Sequence, residues 1–302
     1  VQAVADAAAR IRLGEADVMI AAGTESMSVM PQIMGNKVSL NPAVFEKEEN
    51  YAIAFGMGLT AEKVAQKWGI SRDDQDEFAL ASHQKALAAI DQGLFRDEIA
   101  PYPVKTHLPG AQGVARVVEQ VADTDEGPRR DTSRESLARL RPVFAARGTV
   151  TAGNSSQMSD GAGAVLLMSE AAVKRYNVTP IARVAAYAVA GVPPEIMGIG
   201  PVAAIPKALE RAGIRQDDLD WIELNEAFAA QSLAVIRELG LDPAKVNPLG
   251  GAIALGHPLG ATGAIRTATV MSAMKRDPKV KYGMVTMCIG TGMGAAGIFE
   301  RV

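Results

Sequence analysis

Val1-Gln2-Ala3-Val4-Ala5-Asp6-Ala7-Ala8-Ala9-Arg10-Ile11-Arg12-Leu13, followed by Asp17-Val18-Met19-Ile20-Ala21-Ala22-Gly23-Thr24, is the stretch on which the fold is read. Val1, Val4, Ala8 and Ile11 recur at helical spacing, and Ala5, Ala7 and Ala9 are strong helix formers. Gly14 closes the turn, and Val18–Ala22 is a short apolar run of the kind that forms a buried strand. The same order returns near the other end. Ala261–Lys275 has helical periodicity, Met284–Cys288 is apolar, and Gly290-Thr291 follows. Two copies of helix, strand and Gly-Thr predict two similar α/β halves. The first copy has neither a capping residue nor an initiator Met ahead of it, so its first turn would leave N–H groups orphaned. The expectation is that sequence upstream of Val1 is absent and that the core around residues 1–27 is exposed or poorly folded. A buried helix start there would stabilise an anion or lower a thiol pKa.

Working outward, residues 28–148 read as an insertion, helical and loop-rich and more charged than its flanks. Pro31, Gly35, Asn41-Pro42 and the charged patch Glu46–Glu49 mark loop. Thr60–Trp68 is helical, and Ser71-Arg72-Asp73-Asp74 caps a second helix running to about Gln92 and Gly93. Residues 101–131, with Pro101, Pro103, Pro109, Gly110, Gly113 and Gly127, read as extended or irregular, and Ser133–Leu140 as a short helix. Beyond the insertion the α/β character resumes. Gly161–Met168 and Ile181–Ala190 are predicted strands around the helix Glu170–Tyr176. Val202–Ala212 is a helix, Asp220–Leu224 a strand, and Asn225 the cap of a helix to about Leu239. Tyr282–Cys288 and Ala295–Glu300 are the last strands.

The composition excludes several classes. The 302 residues are 48% hydrophobic and 22% charged, ordinary for a globular chain. Lys+Arg 31 against Asp+Glu 34 gives −3, so the chain is not a polycation for nucleic acid. A single cysteine excludes an internal disulfide framework and a Cys-based zinc site, and suits a reducing compartment. No metal site is read. Apolar runs such as Ala164–Met168 are too short to span a bilayer, and Val1–Asp6 is no signal peptide. A bacterial cytoplasm or an organelle matrix is the expected location.

Few residues can carry chemistry. His83 lies in a polar helical run and reads as surface; His107 sits in the Pro-rich connector without a nameable partner. His257 lies in Gly250-Gly251-Ala252-Ile253-Ala254-Leu255-Gly256-His257-Pro258-Leu259-Gly260-Ala261-Thr262-Gly263, where glycines let backbone pass close to something. It is either a general base or a turn histidine satisfied by backbone. Cys288, at a strand end before Ile289-Gly290-Thr291-Gly292, is either inert core or part of a site with backbone N–H donors. Asn225-Glu226-Ala227-Phe228-Ala229 reads equally as a helix cap with an acidic first turn, or as an amide holding a water or carbonyl. Arg129, Arg130, Arg134, Arg139, Arg141 and Arg147 are either a solvated face paired with Asp131 and Glu135, or a phosphate clamp.

Taken together, Asn225–Ala229, Gly250–Gly263, Cys288–Gly292, Gly153-Asn154-Ser155-Ser156-Gln157 and Gly58-Leu59-Thr60-Ala61-Glu62 resemble the motifs of thiolases, in order over the whole chain. The resemblance implies a five-layered α/β/α/β/α fold of two duplicated halves. Residues 1–27 and 149–175 would be the remnant of the N-terminal half, 28–148 an inserted loop domain, and 176–302 the C-terminal half. It implies an acyltransferase that cleaves 3-ketoacyl-CoA to acyl-CoA plus acetyl-CoA through an acylated cysteine. His257 would activate that cysteine and, with a water on Asn225, form one oxyanion hole. Cys288 would be the second acid/base, and the Gly290 N–H part of the other hole. Ser156, Met197, Ala227, Phe228 and Arg129 would line the coenzyme A and acyl pocket, with CoA a co-substrate and no permanent cofactor. A homodimer or homotetramer is implied. The family's nucleophilic cysteine lies ahead of the segment matching Val1–Val4, so the chain as written is expected to be inactive. Gly56, where short-chain biosynthetic members carry His, favours the degradative class of fatty acid β-oxidation over an acetoacetyl-CoA enzyme. A CoA-binding or assembly fragment is the rival reading. A ketoacyl synthase ranks last, because Cys288 stands where those enzymes use a second His.

Overall fold

The computed structural model describes residues 1–29, 41–110 and 113–302. The loop reading at Pro31 and Gly35 lies outside the described residues. Both helix–strand units form. In the first, α1 (Gln2–Arg12) leads to β1 (Val18–Ser26), which pairs antiparallel with β4 (Asp160–Met168). In the second, α9 (Leu259–Arg276) leads to β7 (Tyr282–Ile289), which pairs antiparallel with β8 (Met293–Arg301). The second sheet is completed by β5 (Ala182–Gly191) beside β8 and by β6 (Trp221–Leu224), parallel to β7.

The apolar faces dictate the layers. Val4 and Ala7 of α1 and Val270 and Met274 of α9 pack between the sheets, against Ala21, Val285 and Phe299. On the far side of the larger sheet lie α6 (Gly200–Ala212) and α7 (Ala229–Leu239). Their Ile205, Leu209, Val235 and Ile236 meet Ile222, Met284 and Ile298. Sheet, helix pair, sheet, helix pair are four consecutive layers of the expected five. The expectation for residues 1–27 is half met. Val4, Ala7 and Ala21 are buried, whereas Ile20 and, across the ladder, Leu166 are 69% and 58% exposed. At Gly23 a Cβ would lie 2.1 Å from the Gly260 carbonyl oxygen, so only glycine lets β1 cross the start of α9.

Within residues 28–148, α2 (Met57–Trp68) and α3 (Arg72–Asp91) form as read, and Ser71 and Asp74 make the reciprocal capping box. Val64 of α2 packs on Ile196, Ile199 and Ala234; Ala79 and Leu80 of α3 pack on Ala229 and Ile253. Residues read as extended or irregular form a hairpin, β2 (Tyr102–Pro109) with β3 (Ala115–Ala122). Its two strands each have a free edge, where Pro103 and Pro109 are tolerated, and they bury too little to show an alternating pattern. His107 is exposed there, opposite Val117. A short helix, α4 (Arg134–Ala138), is capped by Ser133, and α5 (Glu170–Tyr176) follows β4.

Candidate active site

The strand end after β6 and the glycine-rich segment converge. Asn225 does not cap a helix: α7 begins at Ala229, with Phe228 at the cap position. The Asn225 backbone N–H instead donates to Thr286 on β7, holding the residue at the sheet's C-terminal rim. Its Nδ2 lies 3.2 Å from His257 Nε2. On the other side of the ring, His257 Nδ1 is 2.6 Å from Thr262 Oγ1. Thr262 gives its own proton to the Pro258 carbonyl at 3.0 Å. Its oxygen therefore accepts from Nδ1–H, and Nε2 is left with a lone pair. The His257 backbone N–H donates to Ser159 Oγ, and Gln157 Nε2 donates to the Ala254 carbonyl, so residues 157–159 brace the loop.

The electrostatics favour a neutral ring. Burial pushes His257 down to about 4; the Arg266 guanidinium adds to this, and Glu25 opposes it. Arg266 is itself buried and faces Glu223 at 3.4 Å. Burial pushes Glu223 up to about 7, against the pull of Arg266 and the Trp221 N–H. Cys288 is a buried thiol at the end of β7, and burial pushes it up to about 12. Neutral imidazole and protonated thiol are the states at pH 7.

The structure brings Cys288 together with Met197, Ala227 and Phe228 in one small apolar cluster. Ser156 joins through its backbone N–H, which donates to the Ala227 carbonyl. Gly290 follows Cys288 in the turn to β8, and a Cβ on it would reach Met57 Sδ at 3.7 Å. One side chain that sequence reasoning did not single out enters from residues 28–148. Phe144 stacks edge-on against Phe228 at 6.0 Å, and Gly58 leaves room for the Phe144 ring. Thr262 was missed because a hydroxyl one helical turn after a histidine carries no signal of its own.

Beside this cluster a cavity of about 290 Å³ is lined by Arg129, His83, Ser136, Ser155 and Gln157 among others. Ser155 connects the two, through its bridge to Phe228. His83 is a correction to the surface reading. It is 5% exposed, and its Nδ1 accepts the Arg129 backbone N–H at 3.2 Å. Gln84 beside it is exposed but Ser82 is buried with it, so a local composition average misplaces both. The arginine cluster divides. Arg130 pairs with Asp91 and Arg134 with Glu77, rather than with Asp131 and Glu135, while Arg129 faces the cavity. Among the described residues no three His, Cys, Asp or Glu side chains are grouped to hold a metal ion, and no helix is long and apolar enough to cross a membrane.

Comparison with known proteins places this geometry. Residues 1–171 match the family model for the thiolase N-terminal domain, and residues 178–301 that for the thiolase C-terminal domain. The 3-ketoacyl-CoA thiolase of Bacillus subtilis (strain 168) is 51% identical over 299 residues, covering 99% of this chain and 75% of that protein. The crystal structure of the dimeric peroxisomal thiolase of Saccharomyces cerevisiae superposes with a TM-score of 0.90 at 45% identity, covering 100% of this chain and 73% of that one. Human mitochondrial 3-ketoacyl-CoA thiolase in complex with CoA gives 0.86 at 43% identity, covering 100% and 75%.

Proposed function

Since the chain belongs to the thiolase family of acyltransferases, we propose that its residues serve the thiolytic cleavage of 3-ketoacyl-CoA into acyl-CoA and acetyl-CoA. The observation that carries this reading is the hydrogen-bond chain Pro258–Thr262–His257–Asn225, which puts the ring proton on Nδ1 and leaves Nε2, facing the Asn225 amide, as the proton-accepting atom. In the first half-reaction a cysteine thiol other than Cys288 gives its proton to His257 Nε2 as its sulfur attacks the ketone carbon. The ketone oxygen gains the charge, and the new Nε2–H, with a water on Asn225, donates to it. The carbon–carbon bond then breaks. Its electron pair stays on the acetyl-CoA carbon, which takes the proton of the Cys288 thiol. In the second half-reaction Cys288 recovers a proton from the incoming CoA thiol, whose sulfur takes the acyl group with the Gly290 N–H supporting the second oxyanion, and the expelled cysteine sulfur takes back the proton held on His257 Nε2. A thiol held high by burial suits that exchange, because its anion is a strong base.

Arg129, Ser156, Met197, Ala227 and Phe228 would hold CoA and the acyl chain. The cavity at Arg129 and the apolar cluster at Phe228 support this division into a polar and an apolar part. Two thiols are needed, and these 302 residues hold one. The 302 residues alone would therefore bind CoA without forming an acyl-enzyme. A degradative role, a homodimer or homotetramer, and a cytoplasmic or organelle-matrix location complete the reading. Residues 28–148 would act as the inserted loop domain between the halves.

The test is acetyl-CoA release from acetoacetyl-CoA and longer 3-ketoacyl-CoAs by the protein purified from its own cells, alongside CoA binding by the 302 residues. Release across chain lengths is expected. CoA binding without release by the native protein would favour the binding-fragment reading, and no binding would contradict both.

A further inference from the structure

We propose that Glu226 is a positioning residue, whose buried carboxylate caps the four-residue helix Ala252–Leu255 and thereby sets where His257 stands; the proposal rests on the role given to His257 above. Glu226 is 2% exposed and lies outside α7, so it is not the first-turn acid that its sequence position suggests. Three donors from three separate segments converge on it. Ser82 Oγ of α3 donates at 2.7 Å, Asn247 Nδ2 at 2.8 Å, and the Ile253 backbone N–H at 3.2 Å. Ser82 in turn accepts the Gly251 N–H at 3.1 Å. The short helix has no side-chain cap of its own, so these contacts satisfy donors that its first turn leaves open.

Asn247 and Ile253 present only donors to Glu226, and the Ser82 hydroxyl already accepts from Gly251. The arrangement suits a carboxylate anion, although burial pushes its pKa upward. The contact is close. A Cβ on Gly251 would lie 2.0 Å from the Glu226 carboxyl carbon, so the loop backbone rests on the carboxylate. Asn247 also holds the strand that leads to Asn225, since its Oδ1 accepts the Leu224 N–H and its Nδ2 donates to the Leu224 carbonyl. One carboxylate thus ties the base-bearing loop, the Asn225 strand end and the inserted helix α3 into a single frame. The helix it caps ends at Leu255, two residues before His257. A helix of one turn, freed at its start, has nothing else in its own sequence to keep it wound.

The test is Glu226→Gln, which keeps the shape but turns an NH2 group toward a donor. The native protein is expected to lose roughly 100-fold in kcat, with KM for CoA within about twofold, because a base displaced by about 1 Å costs that much. In the 302-residue chain, histidine-labelled NMR reads three rings, assigned with His83→Gln and His107→Gln. The His257 titration, set by burial and by Arg266 against Glu25, is expected to move up from about 4 as the loop opens. Amide exchange at Ala252–Leu255 is expected to quicken. An unchanged His257 titration and unchanged kcat, with only the unfolding midpoint lowered, would overturn the proposal. Should Glu226→Gln fail to fold, Ser82→Ala is expected to give the same changes in smaller measure, and no change there would overturn it equally. A shifted titration in a native protein without thiolysis would uphold the positioning role and reject the reaction.

Discussion

β1 and β7 follow similar helices and carry similar apolar runs and a Gly-Thr pair, inside β1 and just past the end of β7, yet they differ in what covers them. β7 is flanked by β6 and β8 and buried by α9 on one face and by α6 and α7 on the other. Among the described residues β1 has one partner strand, and its outer face exposes Val18 and Ile20. The proposed chemistry lies at the covered unit, where a buried strand end can hold a thiol protonated and an imidazole neutral. The first unit serves as support. Glu25, just past its Gly-Thr, accepts the Gly260 N–H at the start of α9.

The comparison is sharpened most by His257→Gln. In the native protein it is expected to lower kcat about 1,000-fold while CoA affinity changes less than twofold, as for loss of a general base. Steady-state kinetics and calorimetric CoA titration check this. If kcat fell no more than it does for Glu25→Gln, the covered unit would have no special place.

Next in size is packing. Met284→Ala, in the core of β7, is expected to cost about 3 kcal/mol in urea unfolding, whereas Ile20→Ala on the exposed face of β1 should change stability by less than about 0.5 kcal/mol. Equal costs would mean that the outer face of β1 is covered in solution.

The pH dependence comes third. Glu223 is raised to about 7, so between its unfolded value near 4.5 and 7 the folded state binds the extra proton, and stability falls as pH rises through that window. His257 is lowered to about 4, so its contribution is full above its unfolded value near 6.5 and is lost as pH falls toward 4. The two oppose each other. Glu98, Asp125 and Glu226, also raised by burial, act in the direction of Glu223. In His257→Gln the opposition is gone. Stability should then fall from pH 4.5 to 7 by on the order of 3 kcal/mol more than in the unsubstituted chain. Urea midpoints across that range decide it, and parallel curves would contradict the assignment of a neutral, buried His257.

The smallest effect belongs to the cavity. Arg129→Ala is expected to weaken CoA binding about tenfold, in line with loss of one charge-assisted contact. No change in the CoA titration would remove Arg129 from the site.

Much of this was legible in residues. Helical spacing marked α1 and α9, and the Ser71 box marked α3, because those patterns repeat within one element. The pairing of His257 with Asn225 was legible only through the family resemblance, since 32 residues separate them in sequence. Other features were not legible. His83 stands in a polar stretch and Glu226 at the position of a first-turn acid, and their burial is decided by Arg129, Asn247 and Ile253, which come from elsewhere in the chain. The hairpin β2–β3 buries almost nothing, so it left no periodic trace.

Cys288 is proposed as an acid/base group and not as the acylated nucleophile. The direct measurement is mass spectrometry of the 302-residue chain after incubation with acetoacetyl-CoA in the absence of free CoA. The account predicts a bound CoA ester and an unmodified Cys288. An acetyl or acetoacetyl thioester on Cys288 would contradict it.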